Sequence, residues 1–291
     1  MDAAGLVETR LAAILDEAAA HGSPPRLVEA MRHGTLGGGK RLRPFLVLEC
    51  AHLFAVPPEA ALETAAALES MHCYSLVHDD LPAMDNDDLR RGRPTVHKAF
   101  DQWTAILAGD ALLTLAFELL ASPRAHPDAR VRTELISGLA RASGAAGMVG
   151  GQCLDLEADK MGTPARPDVA HVARLQAMKT GALIRYACEA GAVLGQADAE
   201  PRRALVGFGE RLGAAFQIAD DLLDVEGEAE VVGKAVGKDA HKATLVSLLG
   251  VAAARGRLGE LEAQAIALLQ PFGPAAETLR EAARFVGQRR T

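Results

Sequence analysis

The chain has 291 residues, 49% hydrophobic and 24% charged, with 28 Gly, 14 Pro and 4% aromatic residues. This apolar content excludes disorder, the absence of a glycine triplet period excludes collagen, and four cysteines are too few to staple such a length. A formal net charge of −7 argues against a nucleic-acid groove. It leaves a small polyanionic substrate open, because divalent cations held by aspartates reverse the local field.

Alanine makes up about a fifth of the chain and β-branched residues rarely alternate over a strand length, so propensity and period both predict an all-α protein. In chain order, helices are predicted over roughly 3–20, 44–55, 59–80, 101–121, 128–149, 168–194, 200–226, 240–270 and 274–288. Breaks fall at HGSPPR, GTLGGGK, VPPE, SPRAHPD, MGTPARP and QPFGP. None is long enough for an interdomain linker, so residues 1–291 are expected to form a single domain. Cys50, Cys73, Cys153 and Cys188 make no CxxC pair, which speaks against a zinc site and for a reducing compartment. The amino terminus MDAAGLVETR lacks a basic-then-apolar leader, and Asp110 interrupts the apolar run 106–117. No membrane span and a cytoplasmic location are expected.

Two acidic clusters interrupt apolar helices. In SLVHDDLPAMDNDDLRRGRPT, Asp79 and Asp80 end an apolar run, and Asp85, Asp87, Asp88, Arg90, Arg91 and Arg93 follow. A solvated helix end with a charged loop would look the same. The second cluster, FQIADDLLD, puts Asp220, Asp221 and Asp224 inside another apolar helix, with Asp220 and Asp224 on one face. Buried carboxylates need a compensating cation, and an oxygen-only ligand set suits Mg²⁺, which keeps water and substrate phosphate in its shell. Pro82 ends the first helix, so Asp85 can fold back toward Asp79.

Basic elements answer them. GGGKRLRPF places Lys40, Arg41 and Arg43 between flexible glycines and Pro44, a good first helical residue, which makes either an anion site or a solvated loop. Lys179 lies in the apolar stretch LQAMKTGALI, either snorkelling or beside an unwound turn at Gly181 whose carbonyls are freed. Lys234, Lys238 and Lys242 punctuate a glycine-containing loop that reads as a basic lid over phosphate or as surface lysines.

With these residues in order, the chain resembles the trans-isoprenyl diphosphate synthases, most closely the bacterial farnesyl diphosphate synthases. The resemblance runs through GGKRLRP, HCYSLVHDDLPAMDNDDLRRGRPT, LAGDALLTLAF, GMVGGQCLDLEA, KTGALIR and FQIADDLLD. It implies an all-α, single-domain bundle of long antiparallel helices around a central cavity, usually a homodimer, with both aspartate motifs at the mouth. It implies head-to-tail condensation of isopentenyl diphosphate with dimethylallyl or geranyl diphosphate. By the same resemblance Asp79, Asp80, Asp85, Asp220, Asp221 and Asp224 hold Mg²⁺, three ions with substrate bound. Arg90, Lys179 and Lys234 contact the allylic diphosphate. Lys40, Arg43, His72 and Arg91 hold isopentenyl diphosphate, and Thr180 and Gln217 turn their oxygens to the developing carbocation.

Tyr74 lies five residues before Asp79, about 7.5 Å along a helix. Relatives with an aromatic residue there together with a longer, Pro-containing first motif usually stop at fifteen carbons, and Ser75 beside it is small, as in bacterial rather than animal-type enzymes. The loop from Lys234 to Lys242 is shorter than in close relatives and Leu245 replaces an aromatic residue, which clouds the roles of Lys238 and Lys242. Geranylgeranyl diphosphate synthesis is the alternative product reading. A terpene cyclase would lack the GGKRLRP loop and carry an Asn, Ser and Glu triad in place of DDLLD. A metal phosphohydrolase is suggested by adjacent His78 and Asp79 but needs further histidines. A non-catalytic partner subunit would have lost aspartates from one motif.

Overall fold

The computed structural model describes residues 2–230 and 243–288, with side chains outside 226–230; Lys234, Lys238 and Lys242 lie outside the described residues. The described chain is helical apart from one two-stranded hairpin. Its contacts cluster into two compact units: the first runs to Gly138 and includes Val193–Gln196, and the second comprises Leu139–Ala192 and the chain from Ala197.

In the first unit α1 (Ala3–Ala20), α2 (Pro25–Thr35), α3 (Leu42–His52) and α6 (Gln102–Ala121) pack around α4 (Pro58–Asp79). Asp2 caps α1 and Asp101 caps α6, each side chain accepting a backbone N–H of the first turn. α4 opens on Pro58 at a position where no N–H is needed. Its alanines at 61, 65, 66 and 67 are fully buried beside Leu68 and Met71, so neighbouring helices approach closely and each buried leucine contributes roughly 1.5–3 kcal/mol. The hairpin β1 (Leu89–Arg90) and β2 (Arg93–Pro94) and the short α5 (Val96–Ala99) follow α4. By length and composition α6 alone among the described helices could cross a membrane; it lies against α4 and α2 with Ala105, Ala108, Leu112 and Ala116 buried.

The chain passes to the second unit within α7 (Ala129–Ser143). There α8 (Met148–Met161) and α9 (Val169–Gln176) precede a π-helical turn, Ala177–Gly181, which leads into α10 (Ala182–Leu194). The long α11 (Ala199–Glu230) contacts α9, the π turn, α12 (Leu245–Leu249), α13 (Val251–Leu268) and α14 (Glu277–Gly287). Tyr186, Phe208, Leu205, Leu212, Leu258 and Leu279 fill this core.

The expected all-α architecture is the observed one, with local corrections. No helix is expected over 25–35, between two breaks, yet α2 forms there with Pro25 at its start. The helix expected over 128–149 ends at Ser143, and α8 occupies 148–161, most of which lies between the helices expected over 128–149 and 168–194. Gly151 is there for close approach: a Cβ would stand 2.6 Å from the Cα of Lys179. The helix expected over 240–270 is interrupted at Gly250, whose φ of 84° is left-handed, and a 3₁₀ stretch, Gln270–Ala276, precedes α14.

Candidate active site

α4 delivers Asp79 and Asp80 at its carboxyl end, where the helix's own carbonyls already concentrate negative charge, so the carboxylates there call for cations. Asp80, 3% exposed, receives Arg90, whose Nε and Nη2 stand 2.8 and 2.6 Å from its Oδ1. Burial holds the Asp80 carboxyl above its ordinary pKa, and the Arg90 bond opposes that rise. The chain then reverses as Pro82 requires: the N–H of Asp85 donates to the Asp79 carbonyl at 2.8 Å and that of Asp87 to the Asp80 carbonyl at 3.2 Å. Asp79 and Asp85 are half-buried beside one another in the chain's fold-back.

The hairpin returns Arg90 to α4. Its register pairs Leu89 with Pro94 and Arg90 with Arg93, and the two loop residues, Arg91 and Gly92, have φ of 53° and 74°. Positive φ at both positions is what a type I′ turn needs, and Arg91 bears about 1 kcal/mol of strain there. Two-residue strands are too short to show alternation, so the sequence reading contained no hairpin. The Arg91 guanidinium donates to the carbonyl of Gly38 and lies over Gly39, where a Cβ would meet its Cζ at 2.6 Å.

Arg43, His72 and Arg91 come together in the first unit. Burial holds the His72 imidazole well below its ordinary pKa, and Arg43, Arg91, Arg41 and Arg90 all push it the same way. A neutral imidazole surrounded by guanidinium groups is an anion-binding arrangement. Arg43 Nε is enclosed and has no hydrogen-bond partner, and Lys40 is exposed on the loop before it. Arg41 departs from the expected anion site. It turns inward, 3% exposed, and bonds Glu69 at 2.6 Å, Glu8 at 3.0 Å and the Thr35 carbonyl at 2.6 Å. α3 starts at Leu42, which puts Pro44 at its third residue rather than its first, still within the turn whose N–H groups have no helical acceptor.

One turn before Asp79, Tyr74 is 7% exposed and meets His78 edge to face at 5.7 Å, while the Ser75 hydroxyl donates to the His72 carbonyl at 2.8 Å. Burial pushes the Tyr74 phenol up, and Asp79 adds to that. His78 is a packing residue: its Nε2 lies 3.0 Å from the Ile106 carbonyl and its ring covers Gly109, where a Cβ would overlap the imidazole.

In the second unit the π turn holds Lys179 and Thr180. Such turns relax the regular hydrogen-bond ladder, and here the helix continues through Gly181 without unwinding. Lys179 does not snorkel: its Nζ is 2.7 Å from Oδ2 of buried Asp155 on α8. On α11, Gln217 and Asp220 are half-buried and Asp224 is exposed. Asp221 accepts the Gln176 amide at 3.0 Å and the Leu245 N–H at 3.3 Å. Burial pushes its carboxyl up to about 6, with neighbouring Asp224 and Asp220 adding to the rise.

The sequence reading passed over Glu69, Asp155 and Gln176, the side chains that hold Arg41, Lys179 and Asp221. For Glu69 and Asp155 the available signal was an acid set among apolar helical residues, as in ALESMHCY and GQCLDLEA; Gln176 gave none. Among the described residues no group of three His, Cys, Asp or Glu side chains is arranged to hold a metal ion.

Comparison with known proteins places this arrangement. The family description "Polyprenyl synthetase" matches residues 24–276. The chain is 48% identical to the farnesyl diphosphate synthase of Escherichia coli (strain K12) over 241 residues, covering 81% of this chain and 79% of that protein. It is 46% identical to the farnesyl diphosphate synthase of Geobacillus stearothermophilus over 240 residues, with the same coverage. Among solved structures, the apo FPP/GFPP synthase from Zymomonas mobilis superposes with a TM-score of 0.84 at 48% identity, covering 96% of this chain and 97% of that one. The chain belongs to the polyprenyl synthetase family, and its all-α fold is the fold of those enzymes.

Proposed function

We propose that this prenyltransferase joins isopentenyl diphosphate head to tail to dimethylallyl or geranyl diphosphate, releasing diphosphate and ending at farnesyl diphosphate. The observation that carries the reading is in the first unit: Asp79, Asp80 and Asp85 gathered at the end of α4, with Arg90 bonded to Asp80 and a separate nest of Arg43, Arg91 and neutral His72. One group of residues suits a metal-bound diphosphate and the other a diphosphate bound by cations alone.

The donor set fits Mg²⁺. The candidates are carboxylates alone, and an oxygen-only donor set suits an ion that takes water and substrate phosphate as its other ligands. Asp79, Asp80, Asp85, Asp220, Asp221 and Asp224 are the residues that would hold it, and the three ions implied by the resemblance belong to this proposal. When bound, magnesium neutralises charge on the departing diphosphate. Arg90 is aimed by Asp80 through Nε and Nη2, which leaves Nη1 for the allylic diphosphate. Lys179, fixed by Asp155, would bind the same group, with Lys234 assigned to it by resemblance. Fixed positive charge at the leaving group favours ionisation more than it favours substrate binding. Arg43, Arg91, His72 and Lys40 would seat isopentenyl diphosphate. Thr180 and Gln217 would turn oxygens toward the allylic cation, and the departing diphosphate takes the proton, so no side-chain base is needed.

Tyr74, buried one turn before Asp79, is assigned as the block at fifteen carbons, with Ser75 beside it. The two units are read as one synthase domain. The exposed Trp103, Ile106 and Leu107 on α6 support a homodimer, and four free cysteines support a cytoplasmic setting. The test is to incubate purified protein with Mg²⁺, isopentenyl diphosphate and either allylic diphosphate, then identify the products by chain length. Farnesyl diphosphate supports the whole reading, and a longer prenyl chain keeps the transferase but removes Tyr74 as the stop. Cyclic hydrocarbons, phosphate release without elongation, or no turnover overturn it.

A further inference from the structure

The stretch PTVHKAF after Arg93 of the hairpin has no role in the function above, yet it contains two buried polar residues. Thr95 is 2% and His97 7% exposed. The Thr95 N–H donates to the Asp88 carbonyl at 3.0 Å and its hydroxyl to the Asp87 carbonyl at 2.8 Å. Its own carbonyl accepts the N–H groups of Lys98 and Ala99, so it also starts α5. A hydroxyl has one proton, and Asp87 receives it. The 3.1 Å contact between Thr95 Oγ1 and His97 Nδ1 therefore runs the other way, with His97 donating from Nδ1. Nδ1 thus carries a hydrogen, and Nε2 is enclosed with no partner.

Residues 87–95 form a loop that leaves the acidic segment, turns at the hairpin and closes on itself at Thr95. Arg90 and Arg91 ride on that loop. Lys98, 2.9 Å from Asp88, adds an exposed tie, but the buried bonds are those of Thr95. We propose that Thr95, oriented by the His97 Nδ1–H, is the positioning residue that sets where the hairpin presents Arg90 and Arg91. Resting on the proposed prenyl transfer, it names residues on which that site's geometry depends. Valine at 95 has nearly the same shape and cannot make either side-chain bond, so it strands the Asp87 carbonyl and His97 Nδ1–H in the interior.

The test compares Thr95→Val, Thr95→Ser and the unaltered protein by amide hydrogen exchange over 80–98 and by steady-state kinetics well below the melting temperature. Exchange in that segment should rise for Thr95→Val against an unchanged remainder. Its kcat for condensation should fall by about tenfold or more, since a small misplacement of a substrate-binding group costs up to about a hundredfold. Thr95→Ser should restore both readings. A kcat within twofold of the unaltered protein, exchange that does not change, or a serine variant as impaired as valine overturns the proposal. If the unaltered protein shows no condensation, the functional reading fails, while the exchange comparison still decides whether Thr95 closes the loop. Should Thr95→Val not fold, His97→Asn, which keeps a donor near Nδ1, against His97→Ala carries the same comparison: asparagine is expected to preserve rate and protection and alanine to lose both, and equal behaviour of the two is the overturning result.

Discussion

Removing the Arg41 guanidinium tests whether it serves the interior or the substrate. Arg41 and Glu69 have side chains 1% and 3% exposed and are 2.6 Å apart; Glu8 and the Thr35 carbonyl accept from Nη2, and Nε is enclosed without a partner. Arg41→Met keeps most of the volume but leaves the buried Glu69 carboxylate without its cation, and breaking a buried pair in that way costs about 3–5 kcal/mol. At roughly 2–4 °C per kcal/mol for units of 150–250 residues, the melting temperature should fall by on the order of 10 °C. Thermal and urea unfolding measure the loss. Arg41→Met/Glu69→Met should recover most of it, because the interior then holds neither charge. At a temperature where the single variant stays folded, its KM for isopentenyl diphosphate should match that of the unaltered protein. A melting temperature within about 2 °C of the original, together with a raised KM, would refute the structural assignment and return Arg41 to the anion site.

Gly109→Ala puts a methyl group into the His78 ring, and overpacking of this kind costs about 1–3 kcal/mol. Melting temperature and kcat should both drop, because His78 immediately precedes Asp79; unchanged values would show that the imidazole moves freely. Tyr74→Ala should lengthen the products, read by chromatography of the prenyl chains, and farnesyl diphosphate alone from that variant would count against Tyr74 as the block. Asp221, pushed up to about 6 from 3.8, binds a proton in the folded protein over a window where the unfolded chain has released it. Its contribution is therefore present below about pH 4 and is lost as pH rises through about 6, and the slope is visible without magnesium. Urea unfolding between those limits should show Asp221→Asn losing that slope, and identical pH dependence in both proteins would remove the shift.

Several features were readable from local chemistry. Composition and period placed the helices expected over 3–20 and 101–121, and Pro82 forces the reversal that brings Asp85 back to Asp79. Glycine's role was not legible locally. Gly250 with positive φ breaks a helix, whereas Gly151 lets α8 approach the backbone of Lys179; the residue type is the same, and only the neighbour decides which property is used.

Alone, the amino-acid order determined that this protein is helical, where its charged clusters lie and which chemistry they suit, because capping, periodicity and composition act within a few residues along the chain. Tertiary structure decided each charge's partner. Arg41 went to Glu69, Lys179 to Asp155 and Asp221 to Gln176, each partner lying 24 to 45 positions away. Such choices depend on which groups lose water together, and that is set when helices pack, not by the order of neighbours in the chain.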